Sequence, residues 1–573
     1  MRKIRFLVLT VCLVAIVSFG FADVSYPYLT QYGPAIVNWG SNIKYSGTLT
    51  IGVSSGQLVD NFNPFFGITY GNTVGYELVY ETLGYINGLN GSITPLLATS
   101  YKWIDNGLKL IVTTRKGVKW SDGIPFSAKD VAFTFNYIRT HPSLDGNGIW
   151  APSNNLQSVE ASGDNVVVFT FSKPNSSIFY YIYSGQFIVP EHVWSKIDNP
   201  TSYLNPDPIG TGPFVIKSFS AALNEYTLVK NPYFWIEGRP YIDKIVVKSY
   251  KSDSSVEMAL LSGEIDYTIT NILDVKRIWI DKDPSTNLIW WVPVSERILA
   301  LNTQKYPFNI PTFRRALNLA ISKEEINNKV YFGMAGIPDP TGMSPSQSTE
   351  WLDPTLKASM AEAMTYDPVK SQELLASIGF KKNSIGQLCD PNGKPLPTYT
   401  FLTNSGWLDG MTIGQITCNE LKKIGLDVVM VPQSSGQYTQ NLKLGHFDIA
   451  YTWENAGPTP YYAYFGDFYP TLSATEIGKP VISDYSRYTN PFITAALESY
   501  NSTTDLHLQK QAIYTIERIV LEDMPFIAIT PRITTTEFSA AKFTGWPTTE
   551  YPYVGGNSDP MFIQFVALNL HLK

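Results

Sequence analysis

Between Thr398 and Val431 a strand, a helix and a second strand follow one another with almost no connecting chain. Residues 399–403 read YTFLT, an alternating strand; Ile413, Ile416, Thr417, Leu421 and Ile424 form one side of a helix; Gly425 stands where a helix stops, and residues 427–431, DVVMV, form the next strand. A helix between two strands of one sheet lets them lie parallel, and such crossovers are right-handed in nearly every case. A further strand is expected at residues 447–452. The chain is thus of the α/β class. In sheets of this class ligand contacts gather outside the carboxyl ends of the strands.

A second constraint is the run from Pro95 to Ile138. A half-buried strand at residues 109–113 enters a basic turn, RKGVKWSDG, whose Asp122-Gly123 pair suits a tight reversal. A helix starts at once. Ser127 is a good N-cap, Asp130 sits three residues on for a capping box, and Ala128, Val131, Phe135 and Ile138 make one apolar stripe.

This run, LATSYKW…GLKLIVTTRKGVKWSDGIPFSAKDVAFTF, resembles the extracytoplasmic solute-binding proteins of the peptide and nickel type, the binding components of bacterial and archaeal ABC importers. Further stretches agree in the same order: IVPEHVW from Ile188, PIGTGPFVIKSF from Pro208, LVKNPYFWIEGRPYIDKIVV from Leu228, ALLSGEIDY from Ala259, LALNTQKYPFNIPTFRRALNLAISKEEI from Leu299 and ERIVLEDMPFIAIT from Glu517. Each has a plain structural reading as well. Gly210, Gly212 and Pro213 read as turn punctuation, and Phe313, Ala316, Leu317, Ala320 and Ile321 as the buried stripe of a helix. The motifs identify a scaffold rather than a ligand.

The resemblance implies a two-lobed periplasmic-binding-protein fold of the large, three-domain type, hinged, with domains interleaved in sequence. Lobe I would take residues 23–84, 206–302 and 537–573, an extra domain would be inserted at 85–205, and lobe II would take 303–536. Crossing segments near Asn302 and Thr536 would act as the hinge.

Met1 to Ala22 has the build of a secretory signal: Arg2, Lys3 and Arg5, an apolar run from Phe6 to Phe19, and Gly20-Phe21-Ala22 as a small-x-small cleavage site. Retention as an anchor is the alternative, although the run is shorter than the roughly 20 residues that span a bilayer. The expected location is the periplasm or the outer face of the cytoplasmic membrane. A net charge of −6 argues against a nucleic-acid partner. Charged residues make up only 16% of the chain, against about 25% in typical globular proteins, and the space is taken by aromatic and neutral polar residues suited to uncharged polar ligands. Cys389 and Cys418 read as buried thiols, with a bridge left open. The histidines, His141, His192, His446, His507 and His571, show no ligand spacing, so neither metal nor cofactor is expected.

Catalytic motifs fail on context. Gly52-Val53-Ser54-Ser55-Gly56 fits the nucleophile-elbow pattern, but QLVDNFNPF follows where a helix is required. Gly393-Lys394 is followed by Pro395, which rules out a P-loop. Paired carboxylates of a secreted glycoside hydrolase are defined only in space, and nothing in the sequence argues for them.

The ligand question turns on residues 447–471, FDIAYTWENAGPTPYYAYFGDFYPT. In peptide-binding members of the family a Trp here is followed by an aspartate that pairs with the peptide amino terminus. Trp453 is followed instead by Glu454, Asn455, Ala456, Gly457 and Pro458, leaving Glu454 as the acid able to substitute. A buried ammonium without an anion costs several kcal/mol. The aromatic density of the segment suits sugar: pyranose faces want rings, and the hydroxyl rim wants amides and carboxylates. Trp453, Glu454, Asn455 and Tyr461 are candidate ligand residues; so are Trp407, Asn404 and Asp409 beside the strand end at 403, and Asn61, Asn63 and Phe65 in the loop after the first strand of lobe I. The expected ligand is a short neutral oligosaccharide, β-linked gluco-, xylo- or manno-, passed by a monomeric binding protein to ABC permease subunits. An oligopeptide is the alternative within the family, and a glycoside hydrolase or a chemosensory binding protein the alternatives outside it.

Overall fold

Strand Tyr399–Asn404 lies parallel to both Val428–Gln433 and Ile449–Trp453, as the crossover requires. The helix between the first two, Leu408–Lys423, buries Ile413, Ile416, Thr417 and Leu421. Gly425 adopts φ +86° after it, a conformation that costs glycine little. In the computed structural model, which describes residues 29–30, 33–66 and 69–573, these strands belong to a five-stranded sheet in the order Val428–Gln433, Tyr399–Asn404, Ile449–Trp453, Val292–Leu301, Phe526–Thr534. The expected signal, residues 1–22, lies outside the described residues.

A seven-stranded sheet forms the other lobe, ordered Phe214–Ser220, Glu225–Lys230, Lys244–Ser249, Thr48–Val53, Tyr267–Thr268, Glu537–Ser539, Asn287–Ile289. Thr48–Val53 runs parallel to its neighbours on both sides. The chain passes from this sheet to the other between Ile289 and Val292 and returns between Thr534 and Glu537. The passages are tied together, Trp290 N donating to the Thr536 carbonyl at 2.8 Å and Trp291 Nε1 to Glu537 Oε1 at 2.9 Å. The return crossing passes through Thr535 and Thr536, and the outward one precedes Asn302, because the strand Val292–Leu301 is already bonded into the five-stranded sheet. Asn302 is buried inside that lobe, its amide donating to the carbonyls of Gly445 and Phe447.

The inserted segment contributes a four-stranded antiparallel sheet, Ala98–Ile104, Lys109–Thr114, Val166–Phe171 and Leu156–Ala161. Helix Ala128–Thr140 starts from the full capping box of Ser127 and Asp130 and sets Phe135 against Phe169 at 5.0 Å. Its core is continuous with that of the seven-stranded lobe. It also reaches the other lobe, Tyr462 Oη donating to the Ser177 carbonyl at 2.7 Å.

The PIGTGPF motif is not simple turn punctuation. Neither Gly210 nor Gly212 has a positive φ. Both press on the end of helix Tyr70–Val79: Gly212 N donates to the Val79 carbonyl at 2.8 Å, and a Cβ on Gly210 would lie 1.9 Å from that oxygen. Gly210→Ala is therefore expected to destabilise by about 3 kcal/mol, seen as a lower denaturant midpoint. Gly436→Ala, in helix Ser435–Leu444 where an added Cβ meets nothing within 4 Å, should be neutral or slightly stabilising. Equal midpoints for the two variants would refute the close-approach account.

Candidate functional site

Three parallel strands of the five-stranded sheet end at Asn404, Gln433 and Trp453 along one edge. Trp453 ends its strand half-buried. Trp407 immediately precedes helix Leu408–Lys423, and its ring centre is 5.2 Å from that of Trp453 and 4.9 Å from Tyr438. With Asn455, Asp467 and Tyr485 these rings bound a cavity of about 160 Å3. The site thus forms where parallel sheets offer ligand contacts.

Asn455 is exposed beside Trp453, its amide resting on Gly466, where a Cβ would come within 1.9 Å. Asn404 is 5% exposed and accepts from Gly406 N at 2.8 Å, so it holds the turn leading to Trp407. Asp409 lies under the rings. Its Oδ2 accepts from Tyr451 Oη at 2.8 Å and Tyr331 Oη at 3.3 Å and pairs with Arg297 at 3.3 Å, so its acceptors are taken within the lobe.

Other sequence candidates are placed elsewhere. Glu454 is fully buried on the opposite face of the sheet from Trp453, because neighbouring strand residues alternate sides. There burial, then Asp467, Glu296 and Asp339, push its carboxyl well above the usual range, and both its oxygens lack hydrogen-bond partners among the described residues. A protonated Glu454 supplies no anion to a ligand ammonium. Asn61 and Asn63 are buried, Asn61 Oδ1 accepting from Asn63 N at 2.9 Å and Asn63 Nδ2 donating to the Tyr203 carbonyl at 2.7 Å. Phe65 packs edge-on to Trp194 at 5.1 Å. Asn63 and Phe65 tie this loop to residues 194–203, and Asn61 holds the loop's own turn. Tyr461 is 2% exposed, stacked on Tyr500 at 4.5 Å and accepting from Asn501 Nδ2 at 2.6 Å, which makes it core.

Two arginines escape a reading of the sequence. The Arg532 guanidinium lies 5.4 Å from the Trp453 ring centre and that of Arg297 6.0 Å. Arg297 follows Ser295 and Glu296 in its strand and Arg532 follows Thr530 and Pro531 in its own, so neither stands out in the sequence. A larger cavity of about 660 Å3 lies beside the crossing segments, lined by Trp290, Trp291, Ile337, Leu352, Met360 and Phe538 among others. Its wall joins three aromatic rings to aliphatic side chains, with Asp339, Ser346, Ser348 and Thr349 also on it.

Among the described residues no cluster of His, Cys, Asp and Glu could hold a metal, and no helix is long and apolar enough to cross a membrane. Cys389 and Cys418 are buried, unbridged thiols. Among the described residues after Gly56 no helix begins until Tyr70, and Ser55 Oγ accepts from Gly71 N at 3.1 Å, so the elbow pattern marks a loop.

Two α/β lobes joined by paired crossings, with an aromatic site at the carboxyl edge of one sheet, define a solute-binding protein. The chain belongs to the bacterial extracellular solute-binding proteins, family 5, whose model matches residues 92–475. It is 25% identical to the oligopeptide-binding protein AppA of Bacillus subtilis, over 75% of this chain and 76% of that one. It is 26% identical to the nickel-binding periplasmic protein of Escherichia coli, over 66% and 70%. The periplasmic oligopeptide-binding protein of an ABC transporter from Thermotoga maritima superposes with a TM-score of 0.82 at 26% identity, covering 92% of this chain and 99% of that one. Its mannohexaose-bound structure gives 0.73 at 27% identity, covering 93% and 99%. The protein is thus a substrate-binding component of an ABC importer.

Proposed function

We propose that this protein captures short oligosaccharides, β-linked gluco-, xylo- or manno-, outside the cytoplasmic membrane and presents them to an ABC permease without altering them. The observation that carries this reading is the Trp453–Trp407 pair with Asn455 at the cavity mouth: rings for pyranose faces and an amide for the rim. Two facts support it. Glu454, the acid in position to replace the peptide-pairing aspartate, is fully buried and does not line the cavity, and a structural relative is known with mannohexaose bound. Against it stand relatives named for oligopeptides.

A ligand that binds only the folded state raises the melting temperature. A screen of cello-, xylo- and manno-oligosaccharides beside di- to pentapeptides is expected to give shifts with sugars alone, at dissociation constants near micromolar, about 8 kcal/mol. Shifts with peptides alone would replace this reading with the oligopeptide one. Bound sugar should be recovered at its original length; shorter products that disappear on mutating a cleft carboxylate would make the protein a hydrolase.

A further inference from the structure

Trp453 is flanked by more positive charge than the protein neutralises. Arg297 and Trp453 stand opposite each other on neighbouring strands, and Arg532 extends from the strand on the other side of Arg297. Arg297 has Asp409 at 3.3 Å, yet its Nε is buried without a partner. The Arg532 guanidinium forms no ion pair or hydrogen bond among the described residues and lies over the Trp453 ring. Burial and the nearby Arg297 pull it down to about 10, so it remains charged at neutral pH. The groups facing this pair are Asp409, Tyr331 and Tyr451, all already engaged with one another. The carboxyls of Glu296 and Glu454 are fully buried, and Asp467, which bounds the same cavity, has its carboxyl pushed well above the usual range by burial and by Asp484, so the imbalance stands.

An unpaired guanidinium held against an indole that lines a cavity is a receptor for an anion, and the planar fork of donors fits a carboxylate in bidentate fashion. We infer that Arg532, with Arg297, forms a carboxylate subsite, so that the ligand is an oligosaccharide carrying an acidic unit such as a uronic acid beside the ring that stacks on Trp453. The guanidinium carbon lies over the indole, 5.4 Å from its centre, so the carboxylate would be met beside the stacked sugar ring rather than on it. This deepens the oligosaccharide reading, rests on it, and replaces the wholly neutral ligand expected from composition.

The test is calorimetry on the full protein with three ligand sets: xylo-oligosaccharides, the same oligosaccharides bearing one glucuronic acid, and peptides with free or amidated carboxyl termini. The acidic sugars are expected to bind at least tenfold more tightly than their neutral parents, with a preference that shrinks as salt rises. In Arg532→Gln the ratio should fall to near one, while Arg532→Lys should keep part of it; the ligand-free melting temperature of each variant reports folding. Equal affinity for acidic and neutral sugars would overturn the subsite and leave the oligosaccharide reading standing. If only peptides bind, and amidation weakens them in the wild type but not in Arg532→Gln, the subsite stands and the sugar reading falls. Peptide binding indifferent to amidation, or no binding in any set, would overturn the subsite.

Discussion

Raising the pH from about 5 to about 7 is expected to destabilise the ligand-free protein by several kcal/mol. Its interior holds carboxyls that are better off protonated. Burial pushes Glu81 and Asp484 up to about 7 and Glu517 up to about 8. It also drives Glu296 and Glu454 well above their ordinary value. Each of these side chains is 1% exposed or less, and Glu454, Glu296, Glu517 and Asp484 keep oxygens with no hydrogen-bond partner. The sign follows from proton counting. Between the unfolded value, about 4.3, and the raised folded value, the native state binds protons that the unfolded chain has released. The stabilisation is therefore complete below about pH 4.5 and is lost as pH rises through 7 and 8. A tenfold difference in acidity between the folded and unfolded chain corresponds to about 1.4 kcal/mol, so a few such groups outweigh any single surface ion pair. Lys323, pulled down to about 7 by burial, acts in the opposite sense but only above pH 7. Urea midpoints at pH 5, 6 and 7 provide the measurement. Glu454→Gln, which cannot ionise, should flatten the slope, and a midpoint that is constant or rises across this range would refute the account.

What can be read from the sequence is what depends on neighbours along the chain. Ser127 and Asp130 announce their helix because a capping box is closed within four residues, and the crossover at 398–431 is legible because its strands and helix are consecutive. The places of Trp407 before its helix and of Trp453 at its strand end follow from the same logic. The failures are long-range. Nothing near Gly210 in sequence shows that it will press on Val79, and the alternation in Val292–Leu301 does not say which sheet will accept it. Asn61 and Asn63 carry a local signal that points to structure, because an asparagine two residues before the amide it accepts from is a turn device, here between Asn61 and Asn63 and again between Asn63 and Phe65. The period-two rule applied to residues 453 and 454 sends one to the cleft and the other to the interior. Arg297 and Arg532 stay hidden in the sequence because the shortage of partners that marks them exists only once three strands are side by side.

Trp453→Ala should weaken oligosaccharide binding by one to three decades, about 1.5 to 4 kcal/mol. The indole presents a flat apolar face to one sugar ring, and removing it leaves that ring's C–H bonds against water or a void. Trp453→Phe should restore part of the loss, since a smaller ring still stacks. Asn455→Ala should act differently, reducing discrimination among sugars more than overall affinity, because an amide pairs with particular hydroxyls. The opposing possibility is that Trp453 is held chiefly for the protein's own packing, against Trp407 at 5.2 Å and Arg532 at 5.4 Å. Its half-buried position argues for the smaller structural share, and a cation–π contact at such a site is worth only about 1 kcal/mol. The two roles separate cleanly. A packing residue would, on truncation, lower the melting temperature of the ligand-free protein sharply while the folded fraction kept its dissociation constant. A stacking plate would leave the melting temperature within a few degrees and abolish the ligand-induced rise, so measuring both on the same Trp453→Ala sample decides between them.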